Sequence, residues 1–517
     1  MILGPLEIEG YGPVRPFAGA NADLGSVGTV GGLRRTRRPG EVKLLPTIDA
    51  SLDACEVRDG ATLSFHHHLR NGDGVLNLVL AAAARRGLKD LHVAASSIFA
   101  IHAPLVEHIR NGVVTRITSA FVSGPVGEAV SRGQLPTPLV LTTHGGRARA
   151  LEAGALAVDV AFVAAPAADR SGNISGRLGR AACGALGYPM SDVEVAGHVV
   201  AVTDALMPYP LPAIDIPQHL VDFVVEVPEI GDPAGILSGT TRPAEDATSL
   251  AIAETAAAVI AASGLLVEGF SFQTGAGGVS LATAAAVKRR MLEGGIRRSF
   301  ASGGITGFHV EMLEAGLFRT LLDVQCFDLA AVNSFRRNPA HQGMSASMYA
   351  NPANRGPVVN MLDAVILGAA EIDLDFNVNV TTKANGVIMG GSGGHADTAA
   401  GAKLAIITTR LTASGFPKLI ERVGTLTTPG ETVDVVVTEA GVAVNPRRGE
   451  LALQLQAAGL PIVDIAGLKA ASEQRAATHA QPQPEPAGRV VAVSEYRDGT
   501  VTDLIRSAGA CVKLPRR

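Results

Sequence analysis

LSFHHHLRNGDGVLNLVLAAAARR (residues 63–86) is written a second time, in altered form, as FSFQTGAGGVSLATAAAVKRR (270–290). Both versions carry Ser-Phe, a polar loop with glycine, an alanine-rich stretch of helical character and paired arginines. Two more pairs of segments match. AASSIFAIHAPLVEHIRNGVV (94–114) against FASGGITGFHVEMLEAGLF (300–318) sets Glu107 over Glu311 and Gly112 over Gly316. VDVAFVAAPAADRSGN (158–173) against LDAVILGAAEIDLDFN (362–377) sets Asp159 over Asp363 and Asp169 over Asp373. All four residue pairs are 204 positions apart, as 107 and 311 are. Between these landmarks, LHVAASS, RITSAFVSG, LVLTTHGG and VDVAFVAA read as strands separated by alanine-rich helices, the pattern of a mostly parallel sheet covered by helices. The reading is a tandem duplication of one α/β domain, with ligand sites expected at the carboxyl ends of strands and between the copies. The expected limits are a variable leader at 1–55, a first domain at 56–235, a second at 236–480, and a linker with a C-terminal hairpin and helix at 481–517.

A second stretch bears on chemistry. FNVNVTTKANGVIMGGSGGHADTAAGAK (376–403) reads as an extended run, a turn, a short apolar strand, four glycines around Ser392 and a helix. A glycine-rich loop that opens a helix offers bare N–H groups to an anion or a developing oxyanion. It lacks the Gly-Lys-Ser/Thr of a Walker loop. Its Gly391-x-Gly393-x-x-Ala396 is not followed by an acidic residue about 20 positions on, as a dinucleotide site requires. Gly391, Gly393 and Gly394 are therefore expected to hold a carbonyl or carboxylate rather than a pyrophosphate. The second copy's loop Gln273-Thr274-Gly275-Ala276-Gly277-Gly278 offers backbone donors in the same way. His395 follows the glycines and could steady a carboxylate or thiolate, and Asp397 is expected to cap the helix behind it.

The 517 residues are 47% hydrophobic and 18% charged, a globular composition. A net charge of −4 argues against nucleic acid as a partner. No apolar run reaches membrane-spanning length, and a cytoplasmic location is expected. Four well-separated cysteines without a CxxC pair imply reduced thiols and no structural metal. His66, His67 and His68 are read as strand residues on alternating faces, a poor metal set; His66 and His67 are candidates to face the cleft and pair with carboxylates.

These segments carry a resemblance. With SGGIT, EIDLDFNVNV, GGSGGHADTAAGA, VVTEAGVAVNP and VVAVSEYRDGTVTD, the chain from about Gly60 to Ala508 resembles the coenzyme A transferases, most closely the citrate lyase alpha subunits. ADRSGN and VVTEAGVA are generic to the superfamily, whereas HAPLVEHIR, FNVNV with SGGHADTA, and GVAVNP are characteristic of the citrate lyase branch. The resemblance implies two similar α/β domains packed face to face, with the active site in the cleft between them. It implies exchange of acetate for citrate on the thioester arm of an acyl-carrier gamma subunit, giving citryl-ACP for cleavage by a beta (lyase) subunit in an oligomeric complex. The thiol would come from the carrier's phosphoribosyl-dephospho-CoA group or from CoA as substrate; no cofactor would be permanently bound, and magnesium would belong to the beta subunit. Glu311 aligns with the nucleophilic glutamate of covalent relatives, although the citrate lyase branch is thought to work without an enzyme-bound thioester. Citrate's three carboxylates call for cations, with Arg337 a candidate and Arg336, Arg355, Lys383, Arg70 and Arg147 alternatives. Citramalate or another carboxylate as acceptor, hydrolysis of acyl-CoA, and an idle carrier-docking scaffold are the competing readings.

Overall fold

A computed structural model describes residues 7–17, 19, 38–237, 244–275, 277–297, 299–477 and 488–507. Part of the expected leader, Ala276 and residues 478–487 at the expected linker lie outside the described residues. The first main sheet contains β1 (Leu44–Leu45), β2 (Thr62–Phe65), β3 (Leu91–Ala95), β4 (Val114–Ser119), β5 (Leu139–Leu141), β6 (Val160–Ala165), β7 (His198–Thr203) and β8 (Phe223–Glu226). The second contains β9 (Phe272–Thr274), β10 (Ser299–Ile305), β11 (Phe318–Cys326), β12 (His341–Gly343), β13 (Ala364–Gly368), β14 (Leu404–Thr408), β15 (Val435–Thr438) and β16 (Gly441–Val444). A C-terminal hairpin, β17 (Val490–Glu495) and β18 (Val501–Arg506), joins the first sheet beside β5.

The duplication is visible in strand order. The first sheet runs β18-β17-β5-β4-β3-β2-β6-β7-β8-β1 and the second β12-β11-β10-β9-β13-β14-β15-β16. Seven consecutive positions correspond, β5 to β12 at one side and β8 to β15 at the other. Only the β17–β18 and β15–β16 pairs are antiparallel. The central strands are apolar on both faces because helices cover both; VAFVAA in β6 and LAIIT in β14 are buried throughout. The matched aspartates do matched work. Asp159 accepts the Thr62 N–H (2.7 Å) and Asp363 the Ser271 N–H (2.9 Å). Asp169 and Asp373 each close a turn by accepting backbone N–H groups two and four residues on. The spacing is not uniform, however. His102 and His309, which each accept an N–H from the residue three before them, are 207 positions apart, as their numbers show. The first copy therefore holds three extra residues before Gly112, and its helix there is broken in two.

The helices that shape the site are α1 (Val75–Arg85), α2 (His144–Glu152), α3 (Gly187–Val195), α4 (Gly278–Glu293), α5 (Gly307–Glu314), α6 (Leu329–Arg337), α7 (Ala346–Ala350) and α8 (His395–Gly401). Three local expectations are corrected. The His66–His68 run follows β2 instead of extending it, so strict alternation of faces does not apply and all three rings are buried. The C-terminal hairpin and helix expected within 481–517 is a hairpin through Arg506, because residues 501–506 pair with 490–495. Asp397 lies inside α8 and does not cap it. Its carboxylate crosses to the first copy and caps α2, accepting the Thr143 hydroxyl (2.8 Å) and the Gly145 N–H (2.9 Å), with Arg497 Nε at 3.7 Å.

A Cβ on Gly145 would lie 2.1 Å from the Ala350 carbonyl oxygen, so α2 and α7 meet backbone to backbone across the same joint. Replacing Asp397 with alanine would leave a buried hydroxyl, a helix-terminal N–H and a guanidinium without their acceptor. The expected cost is about 3 kcal/mol, read as a lower urea midpoint, with Asp397→Asn intermediate.

Candidate active site between the two copies

The carboxyl ends of the two sheets face each other. Gln325, at the end of β11, donates to the His67 carbonyl after β2 (2.7 Å). The glycine loop sits in this joint. His144 N–H donates to the Gly393 carbonyl (2.8 Å), and Gly393 N–H to the Ala120 carbonyl (3.0 Å). A Cβ on Gly391 would lie 2.4 Å from Ala120 O, and one on Gly394 2.5 Å from the Tyr349 hydroxyl. Gly393 has φ +53°. Gly391 lets second-copy backbone press against the first copy, Gly394 makes room for Tyr349 of its own copy, and the Gly393 N–H expected to face an anion is already taken. His395 is equally committed: Nδ1 meets the Thr428 hydroxyl (2.7 Å) and Nε2 the Gly368 carbonyl (2.8 Å).

On the first-copy side, the three histidines have separate surroundings. His66 Nε2 lies 3.2 Å from Asp192, whose carboxylate is gripped by both terminal nitrogens of Arg147 (2.7 and 2.6 Å) and by Ser64. Burial alone would raise the Asp192 carboxyl, but Arg147 and His66 outweigh it and hold it well below the usual range. His67 bonds Ser96 (2.6 Å) and stacks near Tyr188 and His144, at 4.7 and 5.8 Å. His68 is 1% exposed and neither ring nitrogen has a protein partner; His144 Nδ1 and Gln325 Oε1 share that condition. Unsatisfied buried polar atoms at a domain joint are what a ligand-binding cleft leaves behind.

The wall continues into the second copy. Tyr188 and Tyr349 belong to one buried cluster across the joint. The Tyr349 hydroxyl accepts from Gln273 Nε2 (2.7 Å), and Gln273 Oε1 accepts from Ser302 (3.2 Å). Gly303 makes room for that side chain, since a Cβ there would lie 2.4 Å from Gln273. Thus Gln273 and Gly394 come together around Tyr349. Thr274 is buried near His309, and Gly275 N–H is held by the Ile366 carbonyl (2.7 Å).

Beyond Gly275 the loop opens. Gly277 and Gly278 start α4 and form one wall of a 220 Å³ pocket whose other walls include Gly368, Thr408, Arg410 and Lys418. Burial pushes the Lys418 ammonium down to about 8, helped by Arg410 and opposed by Glu439. Arg410 is fixed by Asp246 and Ser249. A 16-residue helix N-terminus thus faces two cations, one of them paired with Asp246, across this pocket. The other predicted residues stand apart. Glu311 is on the outer face of α5, its side chain 63% exposed and 3.1 Å from Lys288. Arg337 is exposed in the last turn of α6. Asp323, Cys326 and His341 have metal-ligand proximity, but one Asp323 oxygen accepts from both the thiol and the imidazole (3.0 Å each), so the trio satisfies itself.

The citrate lyase alpha subunit family model matches residues 41–508. The chain belongs to this family. It is 46% identical over 464 residues to the citrate lyase alpha chain of Escherichia coli K12, covering 90% of each chain. With the Klebsiella pneumoniae citrate lyase alpha chain it shares 44% over 465 residues, 90% of this chain and 91% of that one. A Streptococcus mutans structure described as a citrate lyase alpha subunit in complex with citrate superposes with a TM-score of 0.92 at 44% identity, covering 95% of this chain and 96% of that one. A Pseudomonas malonate decarboxylase structure, at TM-score 0.60 and 20% identity, shares the fold. Family membership makes the chain an enzyme of the citrate CoA-transferase type, with thioester chemistry as its business. Among the described residues no helix is long and apolar enough to cross a membrane.

Sequence reading missed Tyr188, Tyr349, Arg410 and Lys418. The tyrosines carried a faint signal, being two of only five in the chain; Lys418 carried none. Burial also sets a pH dependence. It lowers His144 to about 3 and His309 and His395 to about 4. Below the ordinary histidine value of about 6.5 the unfolded chain takes up protons that these rings refuse, so stability is complete above that pH and lost as pH falls toward the folded values, by about 1.4 kcal/mol per unit per ring. Asp397, raised to about 6 by burial against the pull of Arg497, acts oppositely and offsets one ring. Burial lowers His67, His68 and His92 in the same way and raises Asp434 and Asp503 as it does Asp397. One ring is therefore tested singly: in urea titrations His144→Phe should lose less stability than the parent as pH falls from about 6.5 to about 4.

Proposed function

We propose that the chain transfers the thiol of an acetyl thioester to citrate, releasing acetate and forming a citryl thioester, with citrate held at the N-terminus of α4. The observation that carries this reading is the convergence of Gly277, Gly278, Arg410 and Lys418 on one pocket beside the Gln273 loop. A citrate carboxylate oxygen attacks the acetyl carbonyl, the C–S bond breaks, and thiolate leaves a mixed acetyl–citryl anhydride. The thiolate then attacks the citryl carbonyl and acetate departs, so no water or redox partner is consumed. Developing oxyanions would be met by N–H groups at the start of α4. Arg410 and Lys418 would hold the carboxylates that do not react. The solvent-facing position of Glu311 supports the route without a glutamyl intermediate.

In this reading the thiol is the phosphoribosyl-dephospho-CoA arm of a gamma acyl-carrier subunit, or CoA itself. A beta subunit cleaves the citryl product in a cytoplasmic, oligomeric complex. The functional units would be the first copy at 56–235 and the second at 236–480.

The test is to mix the protein with acetyl-CoA or acetyl-ACP and a panel of acids, then weigh the thioester products. Citryl thioester is expected. Citramalyl thioester alone would move the substrate, hydrolysis alone would make the protein a hydrolase, and no turnover would leave a scaffold. Within that assay Lys418→Met should raise the citrate KM about tenfold with kcat little changed. Glu311→Gln should retain turnover within about twofold, and borohydride should trap no glutamyl thioester.

A further inference from the structure

A cavity outside the joint between the copies lies on the first sheet. It measures 400 Å³, within the range of about 300–1,000 Å³ typical of metabolite sites. Its floor is formed by β3, β4 and β5; its roof is the leader segment from Gly10 to Arg15 and the β17–β18 turn, neither of which belongs to the repeated part of the chain.

Three arginines reach this cavity from three different elements: Arg15 from the leader, Arg116 from β4 and Arg149 from α2. Two of them are held in place. Arg116 donates to the Gly60 and Asp90 carbonyls (2.8 and 3.2 Å), and Arg149, only 9% exposed, donates to the Arg497 carbonyl (3.2 Å). Gly499, at φ +84°, lets the turn close over the Arg149 guanidinium, which a Cβ would strike. Thr142 also lines the cavity; it is 3% exposed and its hydroxyl has no protein partner. Two carboxylates share the wall; both attract the Arg149 charge, and each also accepts hydrogen bonds from neutral groups. Glu495 takes the Tyr11 hydroxyl (2.7 Å), and Asp498 takes the Thr500 N–H and hydroxyl (2.8 and 2.6 Å). Cations therefore exceed anions in a sheltered space with a spare hydroxyl.

We propose that this cavity is a second anion site, separate from the transfer site, that takes a small dianion bearing carboxylate or phosphate groups between Arg15, Arg116, Arg149 and Thr142. Arginine forks suit either oxyanion, and the sheltered setting strengthens their hydrogen bonds. The site does not depend on the identity of the acyl acceptor.

The experiment is calorimetric titration of the full chain with succinate and, separately, with inorganic phosphate. It is run in the Lys418→Met background, which weakens the pocket at α4, and any binding that remains there is told apart because it is unchanged in the cavity's arginine variants. One of the two probes should bind at one equivalent per chain, and the Arg15→Gln/Arg116→Gln pair should weaken it about tenfold or more. These two positions spare the buried Arg149, and an unchanged circular dichroism spectrum would show the fold intact; Thr142→Val is the second, milder variant, expected to weaken binding in the same direction. Saturation by succinate alone assigns a carboxylate ligand, and by phosphate alone a phosphate ligand. Absence of saturable binding by either probe up to about 10 mM, or equal binding in the arginine variants, would overturn the proposal.

Discussion

The carboxylate of Asp397 leaves its own helix and caps another one, 254 positions away in sequence, in the opposite copy. That reach places a negative charge at the positive end of α2 and fixes where the first sheet's carboxyl edge meets the second's. The histidine–tyrosine wall of the joint depends on this registration, whereas the pocket at the start of α4 is built from the second copy alone. The glycine loop can sit against Ala120 and His144 only if α2 is held close, and Tyr188 can meet Tyr349 only if the loop is seated. The glycines of 390–394 follow from the same constraint. Gly391 is required because its backbone meets the Ala120 carbonyl, Gly394 because the Tyr349 hydroxyl lies against it, and Gly393 takes a positive φ; these are packing demands.

The two copies differ in the loop that follows their matched first strands. In the first copy the loop after β2 is filled with histidines, and His66 is tied into the Arg147–Asp192 pair. A buried, doubly bonded ion pair resists rearrangement and suits a wall. In the second copy the equivalent loop ends in Gly277 and Gly278, leaving the start of α4 open toward Arg410 and Lys418. One copy supplies rigidity and the other supplies an electropositive opening, which is the arrangement a carboxylate-handling transferase needs.

The mostly parallel sheets and the repeat were legible because strand hydrophobicity and the matched aspartates are local in sequence; the strand order was not. Asp159 and Asp363 announce themselves by spacing alone, and the structure gives them the same bond. The site was only partly legible. Gln273 was found because its glycines mark a loop, while Lys418 was not, because a lysine becomes a ligand candidate only when folding buries it. Glu311 was singled out by alignment within a helix whose outer face a sequence does not reveal. Asp397 was read as a cap for the nearest helix, and no local rule points to a partner in the other copy.

The central claim is that citrate's carboxylates sit between the N-terminus of α4 and the Arg410–Lys418 pair, with no part taken by Glu311. Diffraction from crystals grown with citrate tests it most directly. Density should place carboxylate oxygens about 3 Å from Lys418 Nζ and from the backbone N–H groups that open α4. Citrate bound elsewhere, with that pocket unchanged, or citrate seated against Glu311 would contradict the account.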